Sequence, residues 1–173
     1  PPVPVVATNL FNGWDEPSRL NGMQIVADDW VCTNATPVTD IHWWGSFIGW
    51  TETNLPPDLP LGFQINIWSD IPAGVNTPYS HPGIVLHTVF CPFTLLTNRF
   101  VGWDIDPRTP DCPAVEATFK WDCYLATNEW FYQSPGTNIY WISIAAMYPP
   151  FPPVTNPWGW KTRPRDPNNP APD

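Results

Sequence analysis

The stretch on which the fold turns is IHWWGSFIGW, residues 41 to 50. Read as a strand, its side chains alternate, so Ile41, Trp43 and Phe47 share one face and His42, Trp44, Ile48 and Trp50 the other. Neither face reads as wet, whereas a surface strand of a small domain shows one apolar and one polar face. Something must cover the second face: more of this chain, a ligand such as a sugar, or another copy of the protein.

Outward from this stretch the same short pattern recurs. MQIVADDWVC, VTDIHWWGSFIGW, LGFQINIWSDI, GIVLHTVFCPF, RFVGWDI, AVEATFKWDCYL, EWFYQ, NIYWISIAAMY and WGWKT are β-branched or aromatic runs separated by turn residues. Alternation is clean where Phe63, Ile65 and Ile67 oppose Gln64, Asn66 and Trp68, and where Phe119, Trp121, Cys123 and Leu125 oppose Lys120, Asp122 and Tyr124. Helical periodicity of useful length is missing, and 25 prolines exclude long helices because each removes a donor and clashes with the preceding turn. Eight or nine short strands predict an all-β sandwich of jelly-roll type. Length argues for one domain over residues 11–162, between a proline-rich segment 1–10 and a proline-rich tail 163–173. YPPFPPVTNPW and RPRDPNNPAP are expected to be extended polyproline II.

Only 13% of the 173 residues are charged, against about 25% in an ordinary domain, and the formal net charge is −9. A phosphate backbone would be repelled, which argues against nucleic acid as a partner. The apolar runs all stay below the roughly 20 residues that span a bilayer, so membrane insertion of this segment is not expected. Starting at Pro1, the chain reads as a processed or excised piece.

The runs IVADDWVCTNATPVTDIHWWGSF, INIWSDIPAG, YSHPGIVL, EWFYQ, YWISIAA and GWKT, in that order, resemble an uncharacterised secreted domain of planctomycetes and related environmental bacteria. Proteins of that kind often carry a PEP-CTERM sorting tail. The resemblance covers roughly residues 11 to 162 and implies export, a cell-surface or extracellular location and a β-sandwich. It transfers no activity and no catalytic residue. The sorting tail is absent here, and Cys91, Cys112 and Cys123 are not positions typical of that domain.

The chemistry-bearing residues form no enzyme signature. There is no G-x-S-x-G, and His42, His81 and His87 lack close metal-ligand spacing. Asp104, Asp106 and Asp111 have the hard oxygens that calcium takes, although Asp residues in such loops equally cap turns. No other cofactor is expected. Four cysteines without C-x-x-C suit disulfides more than zinc. Cys32 and Cys123 each follow a Trp by two residues, which suggests pairing across the core and leaves Cys91 and Cys112 to staple a loop.

Twelve tryptophans strain a purely internal reading. Trp44, Trp50 and Trp68, with Trp158 and Trp160, offer aromatic surface. Proline-rich chain docks on such grooves because it is already stiff, and the termini with Pro1, Pro2 and Pro4 offer that ligand. The expectation is a non-enzymatic extracellular structural protein that self-assembles into a filament or surface layer. The alternative is a carbohydrate-binding module for an extracellular polysaccharide.

Overall fold

The computed structural model describes residues 3–6, 10–22, 24–108, 115–134, 136 and 138–162. Eleven strands lie among them: β1 Val3–Val6, β2 Leu10–Asn12, β3 Trp14–Pro17, β4 Ala27–Cys32, β5 Asp40–Phe47, β6 Gly62–Ile71, β7 His81–Pro92, β8 Thr97–Ile105, β9 Val115–Tyr124, β10 Asn138–Met147 and β11 Trp158–Thr162. They form a seven-stranded sheet in the order β1-β2-β8-β9-β5-β11-β3 and a four-stranded sheet in the order β4-β10-β6-β7. The two sheets pack face to face as a sandwich. EWFYQ is not a strand: a 3-10 turn spans Thr127–Glu129, and Phe131 makes a single bridge to Val38.

Strand β5 explains the core. Ile41, Trp43 and Phe47 are buried against the small sheet, as alternation requires, alongside Phe119 and Trp121 of β9. The ring of Phe63, from β6, meets Trp43, Trp121 and Trp158 with centroids 5.4, 5.5 and 4.9 Å apart. Edge and tilted pairs of this kind add about 0.5–1.5 kcal/mol each beyond area burial. Gly45 belongs to the same face, because a Cβ there would fall 2.2 Å from the Trp158 indole nitrogen.

The strand ends earlier than its composition suggests. Gly49 adopts φ +77°, a left-handed conformation that turns the chain, and Trp50 swings back to donate its backbone N–H to the Phe47 carbonyl. Trp50 therefore packs on the core with Leu55 and Leu59, under the chain's own TETNLPPDL loop, whose Pro56 is fully buried.

The disulfide corrects the expected pairing. Cys91 of β7 bonds to Cys123 of β9, joining the two sheets, while Cys32 is a free, buried thiol whose Sγ lies 2.7 Å from the Asn34 carbonyl oxygen. Order in the small sheet gives the reason, since β4 and β7 are its opposite borders. Three strand spacings of about 4.8 Å separate them, beyond the Cα separation a disulfide can bridge. Cys123 lies beneath the β7 border, so it meets Cys91. Cys112 lies outside the described residues. Bridging a separation of 32 residues contributes roughly 3–4 kcal/mol in the chain-entropy model.

Candidate functional site

The large sheet closes on itself. β2 runs parallel to β8, β3 runs antiparallel to β11, and Gly13 alone joins β2 to β3. Gly13 donates its N–H to the Ile105 carbonyl at the end of β8. Its Cβ position would fall 2.4 Å from the Thr162 carbonyl at the end of β11. Strands β8 and β11 are three places apart in the order, yet one run of chain, Leu10–Pro17, borders both. The sheet must curl for that to happen, and it curls away from the sandwich core.

Inside the curl lie charges. On β9, odd-numbered residues face the small sheet, so Glu116 and Thr118 face away from it, and on β5 Ser46 does the same. Register places Asp104 opposite Glu116, Ser46 opposite Thr118, and Asp15 opposite Lys161. Lys161 Nζ donates to Asp15 Oδ2 at 2.8 Å and also to Asp104 Oδ2. All three side chains are only 3% exposed. Carboxylate oxygens of Asp15, Asp104 and Glu116 lie within 4.8 Å of one another, and the Gly49 N–H holds Glu116. Asp15 Oδ1 and the hydroxyls of Ser46 and Thr118 are buried with no hydrogen-bond partner among the described residues.

The electrostatics follow from burial. Desolvation pushes the Asp15 carboxyl well above the usual carboxylate range, Lys161 opposes it, and the neighbouring Glu116 and Asp104 add to the rise. Asp104 is raised by burial against the same lysine. On Lys161 burial acts downward, but the two aspartates outweigh it and hold the proton on. Asp15 and Asp104 thus share one ammonium in a space nearly closed to water, with the half-buried Glu116 beside them. The group has the donor set of a divalent-cation site, and the lysine nitrogen occupies the place between two of its members.

The other singled-out residues are distributed differently. Asp104 is the member of the calcium trio found in this cluster; Asp106 is bound by Arg108 at 2.8 Å, and Asp111 lies outside the described residues. Trp158 is wholly buried, which leaves it no surface for a second molecule, and Trp160 packs on the same core. Trp44 is half-buried on the outward face, with Lys120 Nζ 6.0 Å from its ring centroid. Trp68 is on the small sheet's outward face, directly opposite Trp141 of β10. Their indole N–H groups donate to Ser143 Oγ at 2.9 Å and Asp70 Oδ1 at 2.8 Å, which fixes both half-buried rings. Pro4 is in β1, paired with Phe11 of β2, so part of the first ten residues belongs to the large sheet; Pro1 and Pro2 lie outside the described residues.

Asp15, Glu116 and Lys161 escaped sequence reading. Asp15 sits in WDEP, a stretch with no strand signal, and its partners are 101 and 146 positions away. Only Lys161, a charge within the otherwise apolar WGWKT, hinted that something acidic must meet it.

A β-sandwich with an ion cluster sealed inside its larger sheet is the class that fold and site define. The chain belongs to the family described as Domain of unknown function (DUF7901), which matches residues 1–172. No curated protein and no solved structure matches it.

Proposed function

We propose that the chain is an extracellular structural domain that associates with copies of itself through the β7 border of the small sheet. The observation that carries this reading is the contrast between that sheet's two borders. β4 carries Asp28 and Asp29, charges of the kind that discourage edge pairing. β7 is 12 residues long, contains no Asp, Glu, Lys or Arg, and has β6 as its one described neighbour. Register shifts opposite Trp68 bring Ile84, Val85 and Leu86 in succession to the surface, at 71%, 46% and 42% exposure. A second β7, antiparallel about a two-fold axis, satisfies both the free backbone groups and the apolar side chains. The disulfide between the sheets fits an oxidising, extracellular compartment. No helix among the described residues is long and apolar enough to cross a membrane.

Docking of the termini on Trp grooves is not the route in this proposal, because Trp50 is covered by the chain's own loop and Trp158 lies in the core. Sedimentation velocity over a concentration series tests it. Wild type should form dimers or larger species, and Ile84→Lys with Leu86→Lys should remain monomeric at every concentration. A monomeric wild type ends the reading.

A second reading rests on Trp68 and Trp141. Two fixed, half-exposed indoles beside Gln64 and Thr88 offer a stacking surface with polar neighbours, the arrangement that suits a polysaccharide. Tryptophan fluorescence quenched by an extracellular glycan in wild type, and unquenched in Trp68→Ala, would support it.

A further inference from the structure

Lys161 and Asp15 are a nucleophile and an electrophile held together where water cannot enter. They stand opposite each other on β11 and β3, with Nζ 2.8 Å from Oδ2 and both side chains 3% exposed. A primary amine beside a carboxyl group condenses to an amide when the acid is in its neutral form, a base takes the amine proton, and water is excluded. Asp15, Asp104 and Lys161 are each 3% exposed, a carboxylate touches Nζ, and burial favours the neutral form of Asp15. Asp104 is in contact with Nζ and serves as the base. Glu116, fixed by the Gly49 N–H, crowds Asp15 with a further carboxyl group. Asp15 Oδ1, the oxygen not bound to the lysine, is buried and unpartnered.

We propose that Lys161 and Asp15 form an intramolecular amide, a covalent cross-strand strap that locks the curl of the large sheet. The step balances without a co-reactant. The Lys161 ammonium gives one proton to the Asp104 carboxylate, and the freed lone pair attacks Cγ of the Asp15 carboxylic acid. The Nζ–Cγ bond forms and the Cγ–Oδ1 bond breaks. Oδ1 leaves as water, carrying the acid proton of Asp15 and a second proton from nitrogen. The third proton stays on the amide. Burial of Asp15, which favours its neutral form, supplies the leaving oxygen already protonated. Fixed contact supplies the rest, because positioned intramolecular partners react with effective molarities of about 10⁵–10⁸ M. Asp15 is the acceptor because it stands directly opposite Lys161 in the β3–β11 register; Asp104 is the base, and Glu116 is a positioning residue. The product spans 146 residues of sequence and encloses nearly the whole domain in one covalent ring. It is independent of edge association, since a monomer can carry it.

Intact-mass measurement of the full chain, reduced and denatured, tests the proposal. The expected mass is lower than the sequence requires by one water. Tandem fragmentation should yield a branched peptide joining the segment with Lys161 to the segment with Asp15. Lys161→Arg should restore the full mass. Asp104→Asn should keep the Cys91–Cys123 bridge and the near-ultraviolet circular dichroism while remaining unlinked. Glu116→Gln should slow the linkage, visible as a mixture of linked and unlinked chains whose linked share grows over days. Full sequence mass in folded wild type overturns the proposal, and so does a branch at Asp104 in place of Asp15. Oligomeric state is read separately, so failure here leaves the assembly reading standing.

Discussion

The outward face of the large sheet carries two charge clusters, each with acidic side chains around a cationic one, placed at opposite ends of β5 and β9. At one end Asp15, Asp104 and Lys161 are sealed inside the curl beside the half-buried Glu116. At the other, His42 sits between Asp40 and Asp122, its Nε2 2.6 Å from Asp40 Oδ2, with Lys120 2.6 Å from Asp122. There His42 and Asp40 are 35% and 40% exposed. Contact distances do not distinguish the two groups. What differs is Leu10–Pro17, which closes one end and leaves the other in water. Water screens the open cluster, so its pairs contribute little, whereas in the closed cluster every charge depends on its neighbours.

Removing the shared cation should have the largest effect. Lys161→Met removes both the ammonium and any link to Asp15, leaves buried carboxylates uncompensated and should cost at least about 3 kcal/mol, the scale for breaking a buried ion pair. Urea unfolding measures it, and a loss below 1 kcal/mol would erase the distinction between the two ends. Cys91→Ser with Cys123→Ser should come next, at roughly 3–4 kcal/mol. That pair loosens the sandwich without touching the curl, so it is the control for general weakening. Gly13→Ala follows at about 1–3 kcal/mol, since its Cβ must displace the Thr162 carbonyl at the point of closure.

How much of this could be read from the sequence differs along the chain. β4 to β11 were legible because each lies in a short β-branched or aromatic run with turn residues at its ends, with clean period-two alternation in β6 and β9. Phe63, Trp121 and Phe119 announce their faces locally. β1, β2 and β3 were not legible, being three or four residues long, with Pro4 in β1 and Pro17 in β3, and they become strands only through long-range pairing: β2 with β8, β1 with β2, and β3 with β11. The buried cluster was hidden for the same reason. Asp104 could be noticed in GWDID, but no local pattern predicts that Asp15 and Lys161 meet it, since that depends on the closure at Gly13. The disulfide misled because two Trp-x-Cys runs look alike, whereas pairing is decided by which border of the small sheet each cysteine lies under.

The smallest effect is the sharpest test of the open end. His42→Ala should change stability at pH 7 by less than about 1 kcal/mol, because His42 and Asp40 are solvent-exposed and screened. Its pH dependence carries the comparison. The Asp40 carboxyl is held below its ordinary value of 3.8 by the Thr39 hydroxyl and by His42. For Asp122 burial acts upward, but Lys120 and His42 outweigh it and the net shift is again downward. Carboxyls lowered on folding contribute stability that is full above their unfolded value and is lost as pH falls through the lowered one. Wild type should therefore lose this contribution below about pH 4, and His42→Ala should lose less, so the two melting curves converge in acid. In the chain before linkage, Asp15 has the opposite sign. Its raised carboxyl contributes most below pH 3.8 and loses that contribution as pH rises through its folded value, whatever happens at His42. A wild type and a His42→Ala variant that stay equally far apart from pH 7 to pH 3 would mean that the open cluster is no more coupled to solvent protons than the sealed one.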